Sequence, residues 1–228
     1  MVDERPIDGS RWGEWARAGS ERWEVVGRSY SVFARNTAEL MNLLNIPSTN
    51  TAVAMQSMGD DAEATAPYWD ELDQWLYNQL ASAVSLVDHQ RRVLSYYEAD
   101  FPALVAEYTG RNGAIIRMNE AAFLRDLRNY LLHYGVPPII QTLHLRPVEG
   151  SGTGLLVKLS AEHLLKWSEW KAAARGYLSS FGERDGPVLG RDVATYATAM
   201  GGVFAWLFQQ RQLVMSGENI PDRFRMQA

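Results

Sequence analysis

The stretch Phe123-Leu124-Arg125-Asp126-Leu127-Arg128-Asn129-Tyr130-Leu131-Leu132-His133-Tyr134-Gly135-Val136-Pro137-Pro138 decides how this 228-residue chain reads. It has the pattern of a helix and its stop. No Gly or Pro interrupts residues 120–134, Gly135 fits the position just past a helix end, and Pro137-Pro138 forbid continuation. At the other end Asn119 suits the N-cap and Glu120 suits the positive end of the helix dipole. Turned at about 100° per residue, Phe123, Leu124, Leu127, Tyr130, Leu131 and Tyr134 fall on one stripe, wide enough to pack on a core. Arg128, Arg125, Asn129, His133 and Asp126 fall on the other side, with Leu132 among them. A Leu inside a charged face suggests that something covers it, a second subunit being the simplest candidate.

The chemistry open to this face is phosphodiester cleavage. Arg offers a planar fork of donors to phosphate oxygens and keeps its charge. His can take or give a proton near neutral pH. Arg128 and His133 sit at opposite edges of the face, about one and a half turns apart, so a phosphate lying across it could touch both. His133 falls in the last turn, where the negative helix end favours imidazolium. RNA carries its own nucleophile, the 2′-hydroxyl, so no metal or other cofactor is required in principle.

Arg128-Asn129-x-x-x-His133 resembles the signature of the HEPN superfamily: an Arg, a polar residue directly after it, and a His after four to six intervening residues, on a helix of an α-helical bundle. The surrounding run and Ser85-Leu86-Val87-Asp88-His89-Gln90-Arg91-Arg92 also look like elements of uncharacterised bacterial proteins of that kind, and the likeness covers roughly residues 68–138. The resemblance implies a metal-independent endoribonuclease with a composite site between two HEPN units, hence a homodimer. It also implies a setting in bacterial toxin–antitoxin, defence or stress systems, with a cognate antitoxin or defence partner. Arg128 would bind and polarise the scissile phosphate, His133 would act as acid, base or phosphate-holding imidazolium, and Asn129 would orient the site. Arg125 and Asp126 would support it. Some HEPN toxins carry a Tyr two residues after the His, where an antitoxin modifies it. That position here is Gly135, with Tyr134 directly after the His, so that form of regulation is not implied. A rival reading is a non-catalytic HEPN-like module whose Arg/His face binds a partner protein or holds a dimer together.

Composition sets bounds. Hydrophobic content of 46% with 8 Trp is ample for one core. The net charge of −5 lacks the bulk positive charge of most nucleic-acid binders, so RNA contact must come from a local Arg cluster. The absence of Cys excludes disulfides and thiolate metal sites. His89, His133, His144 and His163 lie on four different elements and form no His-x-x-x-His pair, so no metal site is expected. Gly150-Ser-Gly-Thr-Gly154 lacks the Lys and the strand–helix context of a phosphate loop. The N-terminus, with Asp3, Glu4 and Arg5, does not read as a signal peptide. The uncharged run Val193–Gln210 reads as a core helix, not a membrane span, and a cytoplasmic location is expected.

Working outward, residues 1–20 read as a flexible segment, with Trp12, Trp15 and Trp23 able to tuck onto the body. Residues 21–217 read as a single helical-bundle domain and 218–228 as a tail. Periodicity predicts a helix over about 21–45 that Pro47 ends, a loop over 47–66, and a long helix from about Pro67 to Tyr97. A short helix is expected from Asp100 to about Tyr108, with Thr109–Gly113 as a turn. A β-hairpin is expected over about 139–159, then a helix capped by Ser160 over 161–181, and a last helix over about 188–215. The fold class is mostly α: a HEPN-like helical bundle with one small β-hairpin insertion. On the long helix, Asn78, Ser82, Ser85, His89, Arg92 and Tyr96 form a polar row. Its His89 and Arg92 could support the site by facing Arg128 and His133 across a groove. The alternative is a solvated face with one satisfied His.

Overall fold

A computed structural model describes the backbone of residues 9–49, 62–99, 101–144 and 154–216, and the side chains of residues 19–46, 63–99, 101–140 and 156–212. Helix α1 (Gly9–Thr49) and helix α2 (Ala62–Tyr97) form an antiparallel pair. Their register is fixed by polar contacts along its length. The Tyr68 hydroxyl donates to the Leu43 carbonyl at 3.1 Å, and Asn36 Nδ2 donates to the Asn78 carbonyl at 3.1 Å. Ser29 meets His89 at 2.6 Å, and the Trp23 indole donates to the Tyr97 hydroxyl at 3.1 Å.

Helix α1 departs from expectation at both ends. It is helical from Gly9 rather than from Glu21, and it runs through Pro47 to Thr49. A proline has no N–H for the carbonyl four residues back. That carbonyl is Leu43's, and the Tyr68 hydroxyl supplies the missing donor. The side chains of Trp12 and Trp15 lie outside the described residues, as do residues 218–228, whereas Trp23 is buried on the body.

Helix α3 (Pro102–Ile116) also exceeds its expected length, passing through the Thr109–Gly113 segment read as a turn. Tyr108, Asn112 and Ile115 are buried along one side of it. Burying that stripe outweighs the weak helix preference of two glycines. Helix α4 (Asn119–His133) follows after a short turn. Its N-cap is Met118, not Asn119, and makes no side-chain cap bond. Its stop is as read: Gly135 adopts a φ of 150°, open to glycine, and its N–H donates to the Tyr130 carbonyl at 3.2 Å.

Strands β1 (Ile139–His144) and β2 (Gly154–Leu159) pair antiparallel from Ile139 opposite Leu159 to His144 opposite Gly154. Residues 185–188 run beside β2, where the Leu159 N–H donates to the Pro187 carbonyl and the Ala161 N–H to the Asp185 carbonyl. Gly186 allows that approach, since a Cβ there would lie 1.8 Å from the Leu159 carbonyl oxygen.

The helix expected over 161–181 is two pieces, α5 (Ala161–Leu164) and α6 (Ala172–Ser179). Ser160 caps the first as expected, accepting from the His163 N–H. The break is held by side chains: the Trp170 indole N–H takes the Leu164 carbonyl at 2.6 Å, and the Asp126 carboxylate takes the Lys171 N–H at 2.9 Å. Helix α7 (Leu189–Ser216) closes the bundle against α1, α3 and α4.

The described chain is thus mostly α with one small hairpin. Among the described residues, no helix is long and apolar enough to cross a membrane. The core has two lobes along the bundle. One joins Leu40, Leu76, Phe123, Leu127, Tyr130, Trp167 and Trp170 around α4, the hairpin and α6. The other joins Trp23, Phe33, Tyr97, Leu104, Tyr108 and Trp206 around the far ends of α1, α2 and α7.

Candidate functional site

The apolar stripe of α4 packs as its spacing requires. Phe123, Leu124, Leu127 and Tyr130 are buried. Tyr130 stacks on Trp170 at 5.7 Å and meets Trp167 edge-on at 5.6 Å, while Phe123 stacks on Trp170 at 5.9 Å. This aromatic group fixes the roll of α4 against the α5–α6 segment, and so fixes what the rest of the helix shows to solvent. Tyr134, expected on the stripe, is instead 56% exposed because it lies beyond the last buried turn.

The polar residues of α4 divide into three groups. Asp126 is buried, at 1% exposure, and one of its oxygens caps the start of α6 at the Lys171 N–H. A carboxylate suits the orphan N–H groups at a helix start. Asp126 is therefore turned inward against α6 rather than lying on a shared outer face. Its other oxygen, Oδ1, lies 3.7 Å from Arg125 Nε. Arg125 forms the second group. Its side chain is partly exposed, but its Nε is buried and has no hydrogen-bond partner, and the residue is among those lining a cavity between α2, α3, α4 and α7. Arg128, Asn129 and His133 form the third. Arg128 and Asn129 are half-buried and His133 is exposed. Arg128 Nη1 donates to Asn129 Oδ1 at a long 3.4 Å. Neither Arg128 nor His133 forms an ion pair among the described residues. Beside them Leu132, Tyr134 and Val136 are exposed at 39%, 56% and 65%.

The polar row of α2 does not face this group. It turns to α1, because the antiparallel pair places Ser29 opposite His89 and Asn36 opposite Asn78. Ser29 gives its hydroxyl proton to the Val25 carbonyl at 2.9 Å. It can then only accept in the 2.6 Å contact, which makes His89 Nδ1 the donor. His89 is a satisfied histidine that pins α2 to α1, and Arg92 is exposed one turn further along. The groove expected between His89, Arg92 and the Arg128/His133 face is not formed.

A buried network near the start of α7 escaped the sequence reading. The Tyr177 hydroxyl donates to Asp192 Oδ2 at 2.8 Å, and Arg191 Nε donates to Asp192 Oδ1 at 3.2 Å. Burial pushes the Asp192 carboxyl above its usual range, opposed by the bonds from Tyr177 and Arg191. The only sequence signal was an acidic residue in the first turn of a helix, which fits a capping charge equally well. Among the described residues, no three His, Cys, Asp or Glu side chains cluster as metal ligands.

No family model matches the chain, and no curated protein or solved structure matches it.

Proposed function

We propose that this chain is a HEPN-like, metal-independent endoribonuclease that acts as a homodimer, with Arg128, Asn129 and His133 as its site. The observation that carries this reading is a guanidinium and an imidazole within the last two turns of one helix, accessible to solvent, with no intrachain carboxylate paired to either among the described residues. Among the described residues the Arg128 guanidinium makes one hydrogen bond, to the Asn129 amide oxygen, and keeps its remaining donors for a phosphate.

In the proposed reaction the RNA 2′-hydroxyl attacks the adjacent phosphorus. The 5′-oxygen of the next nucleotide leaves, giving a 2′,3′-cyclic phosphate and a 5′-hydroxyl. Arg128 stabilises charge on the non-bridging oxygens, and His133 moves the proton at the attacking or leaving oxygen. Five residues of helix separate the two by about 140° around the axis and about 7.5 Å along it. Arg128 and His133 therefore sit at opposite edges of the polar face, and a second copy would add its own pair around the same phosphate. The exposed Leu132, Tyr134 and Val136 supply apolar surface for that contact. The same three residues favour the second reading, a partner-binding module without catalysis.

The test is incubation of purified protein with single-stranded and structured RNA in EDTA, followed by end analysis. Metal-free cleavage leaving 2′,3′-cyclic phosphates, lost in both Arg128→Ala and His133→Ala, supports the nuclease. A folded protein that cleaves neither RNA moves the assignment to the binding module.

A further inference from the structure

A cavity of about 140 Å³ lies where α2, α3, α4 and α7 meet, away from the Arg128/His133 face. Its walls are largely apolar, with Leu80, Val84, Val87, Ile115, Leu124 and Met200 among them. It opens to solvent beside the exposed Asp88, Arg91 and Ile116.

One buried donor among the lining residues is unspent. Arg125 Nε is buried and has no hydrogen-bond partner. Asp126 Oδ1, 3.7 Å from it, is beyond hydrogen-bond reach, and Asp126 Oδ2 is committed to the Lys171 N–H. Tyr196, half-buried and edge-on to Phe33, adds its hydroxyl to the lining. Burial pushes its pKa up to about 12, opposed by the nearby Arg125 charge, so it carries its proton at neutral pH. Buried donors are normally paired, and an unpaired one is costly. Of the charged groups lining the cavity, Arg91 is ion-paired to Asp88 at 3.8 Å, and Arg125 Nε lies 3.7 Å from Asp126 Oδ1.

We propose that this cavity is a binding site for a small monocarboxylate with a short aliphatic tail, its carboxylate on Arg125 and Tyr196 and its tail on the Leu80, Val84 and Met200 wall. A dry apolar cavity of about 150 Å³ accepts a guest the size of benzene, which sets the tail at about four to six carbons. An apolar pocket with a few convergent polar groups is the usual form of a small-molecule site. A neutral alcohol of the same length would fill the same wall but offer Arg125 Nε a neutral acceptor in place of a charged one, and a dicarboxylate would bury a second charge without a partner. Arg125 is thereby assigned to this cavity rather than to the RNA face, and the assignment does not depend on the nuclease reading.

The experiment is a titration of the full chain, carrying methyl-labelled methionine, with sodium hexanoate and separately with hexan-1-ol. The Met200 signal is identified by its loss in Met200→Leu. Hexanoate is expected to move the Met200 methyl resonance saturably, and to bind roughly tenfold or more tightly than hexan-1-ol, as a charge-assisted hydrogen bond requires. In Arg125→Gln that preference should vanish, with hexan-1-ol affinity unchanged. No saturable Met200 shift, or equal affinities for acid and alcohol in the wild-type chain, would overturn the proposal, and both outcomes are read without any variant of Arg125. Retention of wild-type hexanoate affinity by a folded Arg125→Gln protein would overturn it as well.

Discussion

Asp126 and His133 lie seven residues apart on α4, within about 20° of the same direction around the helix. One is buried at 1% exposure and caps another helix; the other is exposed. A wheel projection treats them alike. What separates them is position along the axis. Asp126 falls where α6 begins, whereas His133 lies one turn beyond Tyr130, the last α4 residue under the Trp167 and Trp170 rings. The polar residues of α4 therefore have two jobs. The inward one holds the bundle, and the outward ones take no part in the core.

This division can be broken by substitutions whose effects fall in a stated order. The largest is Trp170→Ala. It removes the ring that Phe123 and Tyr130 stack on and frees the Leu164 carbonyl, and about 3–5 kcal/mol of unfolding free energy should be lost in urea titrations. Next is Asp126→Ala, which strips the cap from α6 and leaves the Lys171 N–H without its partner. A loss of about 1–3 kcal/mol is expected by the same measurement. A loss under about 0.5 kcal/mol, the usual size for a surface change, would show that Asp126 is not structural.

A third carboxylate sharpens the contrast. Asp73 on α2 is partly buried, one of its oxygens has no partner, and burial together with the Asp70 charge pushes its pKa up to about 6 from an ordinary 3.8. Its neutral form is the one the fold favours. That contribution to stability is complete below pH 3.8 and is lost as pH rises through about 6. Asp73→Asn should therefore raise the melting temperature at pH 7 and leave it unimproved at pH 3.5, as read by calorimetry at the two values. An equal gain at both would remove titration as the cause. The smallest effects on stability belong to Arg128→Ala and His133→Ala, within about 0.5 kcal/mol of wild type, because neither side chain is tied to the core.

The sequence carried the elements with strong local signals. Helix α4, its Gly135 stop, the Ser160 cap and the antiparallel pairing of residues 139–144 with 154–159 all follow from periodicity and turn chemistry. The errors share one cause, a local signal overruled by a partner distant in sequence. Pro47 does not end α1, because Tyr68 serves the carbonyl that proline leaves bare. Gly110 and Gly113 do not break α3, because Tyr108, Asn112 and Ile115 are buried from that side. The 161–181 helix is interrupted by caps from Trp170 and Asp126. At the candidate site, Arg128, Asn129 and His133 were legible as an outward group. Asp126 was read as facing outward with them and His89 as either facing them across a groove or a satisfied His, because nothing local to α4 or α2 reveals where α6 begins or which side of α2 meets α1.

One set of protein preparations tests the division of α4 most directly. Unfolding free energy and RNA cleavage in EDTA are measured side by side for the wild type, Asp126→Asn, Arg128→Ala and His133→Ala. The expected result is that Arg128→Ala and His133→Ala keep wild-type stability and lose cleavage. Asp126→Asn should lose stability and still cleave at temperatures where it remains folded. Retention of cleavage by a stably folded His133→Ala protein, or a wild-type dimer that leaves RNA intact, would contradict the reading of the outward face as a nuclease site.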